Sequence, residues 1–115
     1  MQRVFPVCYM LRMRLLITGG CGFIGSNFVR FVLEHYQPEF VTNVDVLTYA
    51  GNPDNLAGVP EHHGERYEFF QSDIADRDAM ERAAQETEAA FGKVHVVCNN
   101  AGVAVGGAVD AMIYK

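Results

Sequence analysis

The chain has 115 residues, half of them hydrophobic and a fifth charged, which suits one globular domain and excludes a disordered polymer or a membrane bundle. Its net charge is −5 and its nine Lys and Arg are scattered, so no basic stripe offers itself to nucleic acid or to an anionic membrane. The three cysteines, Cys8, Cys21 and Cys98, are far apart and lack C-x-x-C spacing; neither a disulfide framework nor a metal site is expected, and a reducing, cytoplasmic setting fits.

The leader MQRVFPVCYMLR has an apolar run cut by Pro6 and no small-residue cleavage pattern. Residues 1–12 therefore read as an extension, followed by one domain over 13–115. Arg14 to Thr18 (RLLIT) is a short, β-rich run stopped by Gly19 and predicts a buried strand. Ser26 to Tyr36 places Phe28, Val29, Val32, Leu33 and Tyr36 on one helical face, with Pro38 as the stop. Phe40 to Val44 predicts a second strand, ending at Asp45. TYAGNPDNLAGVPEHHGER reads as a long loop with one helical turn after Asn52, because Pro53 suits a first helical position. Adjacent His62 and His63 in that loop are read as solvated surface.

Tyr67 to Gln71 predicts a third strand. DRDAMERAAQETEAAFG sets Met80, Ala83, Ala84, Thr87 and Phe91 at helical spacing, with Asp78 three residues before Glu81 at its start and Gly92 as its stop. Val94 to Cys98 predicts a fourth strand, broken by NNAG. The fold class is then α/β: a partial Rossmann fold, its parallel sheet in strand order 3-2-1-4 flanked by helices, with the C-terminal half missing. In that order VHVVC is an uncovered apolar edge without charge or proline, so a homodimer through the fourth strand is expected, or failing that a poorly soluble, partly molten chain.

Gly20-x-Gly22-x-x-Gly25 fits the dinucleotide fingerprint, and Gly19-x-x-Gly22-x-x-Gly25 its variant. The glycines allow a tight turn off the strand, close approach of pyrophosphate, and close packing of helix on strand. Amides around Phe23 and Ile24 then face the phosphates, with the helix dipole behind them. A strand-to-helix turn alone would also explain the glycines. Asp45, 20 residues after Gly25 at the end of the second strand, tips the reading towards a nucleotide. A carboxylate there accepts both hydroxyls of an adenosine ribose and repels a 2′-phosphate, which favours NAD over NADP. Cys21, at a helix start, is read as filling a small-residue position, with a reactive low-pKa thiol as the alternative.

RLLITGGCGFIGSNFVRFVLEHY, VDVLTYAGNPDNLAGV and RYEFFQSDIADRDAM together resemble the start of the dTDP-glucose 4,6-dehydratases, a family of the extended short-chain dehydrogenase/reductase superfamily. The likeness covers about residues 13–80. It implies that Asp45 and Thr48 hold the adenosine ribose while Asp73 and Ile74 flank the adenine. Cys21 stands where that family usually has alanine and Val46 where it usually has lysine, which removes a ribose-side contact. From Glu81 to Gly107 the chain is similar instead to the single-domain short-chain oxidoreductases, whose NNAG follows the fourth strand. Asn99 and Asn100 are read as bonding backbone between the fourth strand and its neighbours, a structural role, with Ala101 and Gly102 leaving room for the cofactor ribose.

Both branches use a Tyr-x-x-x-Lys pair, the tyrosine moving a proton and the lysine lowering its pKa. No tyrosine in this chain has a lysine four residues on; Tyr114 and Lys115 are adjacent. The expectation is an NAD-binding fragment that does not turn over alone. The other reading is a structural or interaction fragment whose glycine turn is inherited and binds no nucleotide.

Overall fold

A computed structural model of the chain describes residues 13–102. The extension expected over 1–12, with Cys8, and the tail with Tyr114 and Lys115 lie outside the described residues. Three strands form one parallel sheet in the order β1-β2-β3: β1 is Arg14–Thr18, β2 Phe40–Asp45 and β3 Tyr67–Gln71. Each lies within a residue of its predicted span. The helices are α1 over Phe23–His35, a five-residue α2 over Val59–His63, and α3 over Arg77–Phe91.

The register sets the strand ends level, with Thr18 opposite Val44 and Asp45 opposite Gln71. That alignment brings the turns after all three strands to one margin of the sheet, where ligands of open α/β folds bind.

Alternation along the strands divides the side chains between two faces. On one face Leu15, Ile17, Val41 and Tyr67 meet Val29, Val32 and Leu33 of α1, together with Leu56 and Val59. The last two come from the stretch that read as loop. A 3₁₀ turn does form over Pro53–Leu56, started by Asn52, whose side chain accepts from the Asp54 amide. The second short helix, α2, was not expected there, because Gly58 and Pro60 read as breakers. Gly58 takes φ 85 and acts as the helix's N-cap, and Pro60 fits the first turn, where a missing amide costs no intrahelical bond. Leu56 and Val59 thus close the layer that α1 leaves open.

The other face is loosely covered. Leu16, Val44 and Phe70 look across a cleft of about 740 Å³ at Met80, Ala83 and Thr87 of α3. Arg14 spans it at one end, its guanidinium 4.9 Å from the centre of the Phe91 ring. The predicted apolar stripe of α3 is present, but Ala84 and Phe91 are exposed and the helix buries no residue fully. Its start also differs from expectation: Asp76 is the N-cap, accepting from the Ala79 amide at 3.0 Å, and Asp78 sits in the first turn. Gly92 ends it as predicted, at φ 78.

The fourth strand is a correction. Residues 92–102 carry no strand, so the described sheet stops at β1 instead of running 3-2-1-4. A continuous apolar strand gains its stability from a ladder with layers on both faces. Here α3 stands off the sheet, and Val94, Val96 and Val97 remain exposed. Among the described residues, the fourth-strand edge through which a homodimer was expected is not formed.

Candidate nucleotide site

The turn after β1 opens with Gly19 at φ 72, a left-handed backbone that an L side chain resists. Its amide donates to the Val44 carbonyl at 2.8 Å, and its carbonyl accepts from the Gly22 amide at 3.1 Å, so the turn is tied to β2 and closed on itself. Gly22 then caps α1 in extended conformation and supplies no side chain to the helix start. The first intrahelical bond runs from the Ser26 amide to the Gly22 carbonyl at 2.9 Å. The amides of Phe23, Ile24 and Gly25 therefore have no partner in the helix. Phe23 and Ile24 are 83% and 80% exposed, and no acidic residue lies in that first turn. An anion can approach them, and the helix dipole favours it.

Gly25 does a different job. A Cβ there would overlap the Gly19 carbonyl oxygen and come within 2.8 Å of both the Gly19 carbonyl carbon and the Gly20 Cα. Only a bare backbone lets α1 sit this close to the end of β1. At Gly22, in contrast, a Cβ would stand 3.4 Å from the Gly19 oxygen and 3.6 Å from the Ala50 oxygen, which is ordinary contact.

Asp45 ends β2 and is buried. One carboxylate oxygen accepts from the Cys21 amide and the other from the Leu47 amide, both at 2.9 Å. Each oxygen keeps a second lone-pair direction, so the pair can still receive a diol. The fixed carboxylate holds Leu47 at φ 60, a left-handed conformation rare for this residue, while the Leu47 side chain packs on the core. Thr48 follows in an exposed turn, its carbonyl accepting from the Gly51 amide at 2.9 Å.

Asp73 and Ile74 lie just beyond β3 and are exposed. The Ser72 amide donates to the Asp45 carbonyl at 3.1 Å, which brings this segment beside the end of β2. The Asp73 carboxylate accepts from the Ala75 amide at 2.8 Å, shaping the turn into α3. Gly19, Gly22, Phe23, Ile24, Gly25, Asp45, Thr48, Asp73 and Ile74 thus share the margin at the carboxyl ends of the strands. Asn99, Ala101 and Gly102 do not join them through a strand: all three are exposed in irregular chain, because the strand expected to carry them is not formed.

Beneath the turn is a polar cluster that the sequence did not single out. Asn43, fully buried on β2, donates from Nδ2 to the Tyr67 hydroxyl at 3.1 Å and to Cys21 Sγ at 3.6 Å. A lone polar residue in a strand has no periodic signature, so only its buried partners reveal it. Cys21 is itself buried, and burial pushes its thiol up from the ordinary value; Asn43 opposes the rise and the Asp45 charge adds to it. A reactive, acidic thiol is the opposite of this environment, and Cys21 fills space. Burial also raises the Tyr67 hydroxyl. Among the described residues, no group of three His, Cys, Asp or Glu gathers to hold a metal ion. His62 points its ring Nδ1 at the Gly58 carbonyl, 2.6 Å away.

A parallel sheet whose first strand ends in a glycine turn, and whose second ends in a buried aspartate clamped to that turn, is a partial Rossmann fold. The chain belongs to the GDP-mannose 4,6 dehydratase family, whose sequence profile matches residues 16–101. Among its relatives, the dTDP-glucose 4,6-dehydratase 1 of Escherichia coli K12 is 51% identical over 70 residues, which are 61% of this chain and 19% of that protein. The dTDP-glucose 4,6-dehydratase of Bacillus anthracis, solved in complex with NAD, superposes with a TM-score of 0.57 at 39% identity, covering 64% of this chain and 23% of that one. The Streptomyces venezuelae dTDP-glucose 4,6-dehydratase, also solved with NAD bound, gives 0.55 at 47% identity, covering 62% and 23%. The chain spans about a fifth of the length of the curated relatives it matches. Among the described residues no helix is long and apolar enough to cross a membrane.

Proposed function

We propose that the margin formed by Gly19–Gly25, Asp45, Thr48, Asp73 and Ile74 binds the adenosine diphosphate half of NAD, and that this chain is the cofactor-binding part of a nucleotide-sugar dehydratase, a lyase. The observation that carries the reading is the Asp45 carboxylate, buried and bonded to the Cys21 amide of the glycine turn. One residue is thereby fixed against both places where a dinucleotide is held, its ribose and its pyrophosphate. The site fits the group: unpaired amides at Phe23 and Ile24 suit the pyrophosphate, and the spare lone pairs of Asp45 suit the ribose hydroxyls. NAD supplies hydride transfer when bound. The residues of this chain bind and orient it, and with no Tyr-x-x-x-Lys pair in the sequence we assign them no proton transfer.

The residues at the strand ends serve the adenosine side, so ADP-ribose should bind within several-fold of NAD in a calorimetric titration of the whole chain. A large preference for NAD would contradict this, and binding of neither would leave the structural-fragment reading standing.

Self-association belongs to the same reading. β1 is an edge of the described sheet, and Leu16 on it is exposed, as are Val94 and Val96 of the segment read as the fourth strand, so the homodimer would form along this edge. Light scattering at micromolar concentration should give twice the chain mass, and a monomer would count against it. The free thiols Cys21 and Cys98 suit a reducing, cytoplasmic setting.

A further inference from the structure

The peptide between Cys21 and Gly22 is held from both ends. Its N–H, on Gly22, donates back to the Gly19 carbonyl at 3.1 Å. Its carbonyl, on Cys21, accepts two hydrogen bonds from the loop after β2: the Asn52 amide at 3.0 Å and Asn55 Nδ2 at 2.9 Å. Asn55 is held in turn by α1. Arg30 donates to the Asn55 carbonyl from Nε at 3.0 Å and Nη2 at 2.8 Å, and the same Nη2 reaches the Ala57 carbonyl at 2.8 Å.

From this chain of contacts we infer that Asn55 is a positioning residue for the pyrophosphate, acting through the Cys21 carbonyl; the inference rests on the dinucleotide reading above. The orientation of that peptide plane sets the torsions at Gly22, and these aim the next amides, those of Phe23 and Ile24, at the anion. Gly22 cannot hold the plane by itself, since a glycine has the widest choice of backbone conformation. The Gly19 carbonyl restrains the N–H side from within the turn, and on the carbonyl side the restraint comes from outside it. Asn52 supplies half of that outer restraint through the main chain. Asn55 supplies the other half through a side chain, and α1 carries both Arg30, which braces Asn55, and the amides that meet the phosphates.

Asn55 is exposed apart from this contact and contributes nothing to the core, whose nearest member is Leu56. Its removal should therefore act on the turn and spare the fold. Adenosine reaches Asp45 but has no pyrophosphate, which makes it the reference ligand. In amide-shift titrations of the full chain, Asn55→Ala should weaken ADP-ribose binding about fivefold, the effect of one lost hydrogen bond, and leave adenosine binding unchanged. Asn55→Asp, which keeps the shape and loses the donor, should weaken ADP-ribose at least as much. The urea midpoint of both variants should stay near that of the parent.

An Asn55→Ala chain that binds ADP-ribose as tightly as the parent, or that loses adenosine in equal measure, would overturn the inference. Should Asn55→Ala not fold, the same comparison is made on Asn55→Asp. Failure of the parent chain to bind either ligand would overturn the site itself, a result distinct from normal parental binding that is indifferent to Asn55.

Discussion

Gly25→Ala should lower the stability of the chain by about 3 kcal/mol and abolish ADP-ribose binding. The new methyl would meet the Gly19 carbonyl and the Gly20 Cα, which are main-chain atoms at the end of a paired strand and have no rotamer in which to move aside. Relief requires α1 to back away from β1. That would draw Val29, Val32 and Leu33 off Val41 and carry the Phe23 and Ile24 amides out of place. Urea denaturation reads the first effect and calorimetry the second. Gly22→Ala is the matched control, because the extended backbone at Gly22 accepts alanine and its methyl meets only ordinary contacts. It should fold with a nearly unchanged midpoint and still lose ADP-ribose, since the methyl occupies the approach to the helix amides. Equal stability of Gly25→Ala and Gly22→Ala would show that α1 does not depend on close packing at the turn.

Asp45→Ala should act on binding and folding together. Loss of a charge-assisted pair to the ribose costs about 1.5–3 kcal/mol, or roughly ten- to a hundredfold in affinity. The same substitution strips the acceptor from the amides of Cys21 and Leu47, and Cys21 is buried. An orphaned buried donor costs on the order of 1–3 kcal/mol, so the unfolding midpoint should fall as well. Asp45→Asn keeps one acceptor oxygen and removes the charge. It should recover part of the stability, remain weak for ADP-ribose, and discriminate less against a 2′-phosphate. Asp45→Ala with parental affinity would mean that the ribose lies elsewhere.

How far the sequence reveals this molecule depends on whether a feature is written locally. The strands and α1 are legible because alternation or helical spacing runs through them, and the Gly19–Gly25 turn with Asp45 is legible because short elements in register hold both at one margin. Asp73 and Ile74 are different. Nothing in their own residues marks them, and only family likeness points there. Leu56 and Val59 escape notice because isolated apolar residues among Gly, Pro and Asn have no period, although they complete the core. Asn43, Asn55 and Arg30 escape for a related reason: each acquires its role from a partner more than twenty residues away. The fourth strand errs in the opposite direction. VHVVC has the composition of a buried strand, but composition cannot supply the layer that must cover it, and α3 leaves that layer open. Asn99, Ala101 and Gly102 were tied to that strand, and the described residues do not form it.

The strand ends, and not the wide cleft under α3, should receive the nucleotide. Following backbone amide shifts while ADP-ribose is added to the full chain tests it most directly. Saturable shifts concentrated at Gly22 to Gly25 and at Leu47 and Thr48 are the predicted result. Shifts centred on Leu16, Phe70, Met80 and Ala83, or no saturable shift at all, would contradict it.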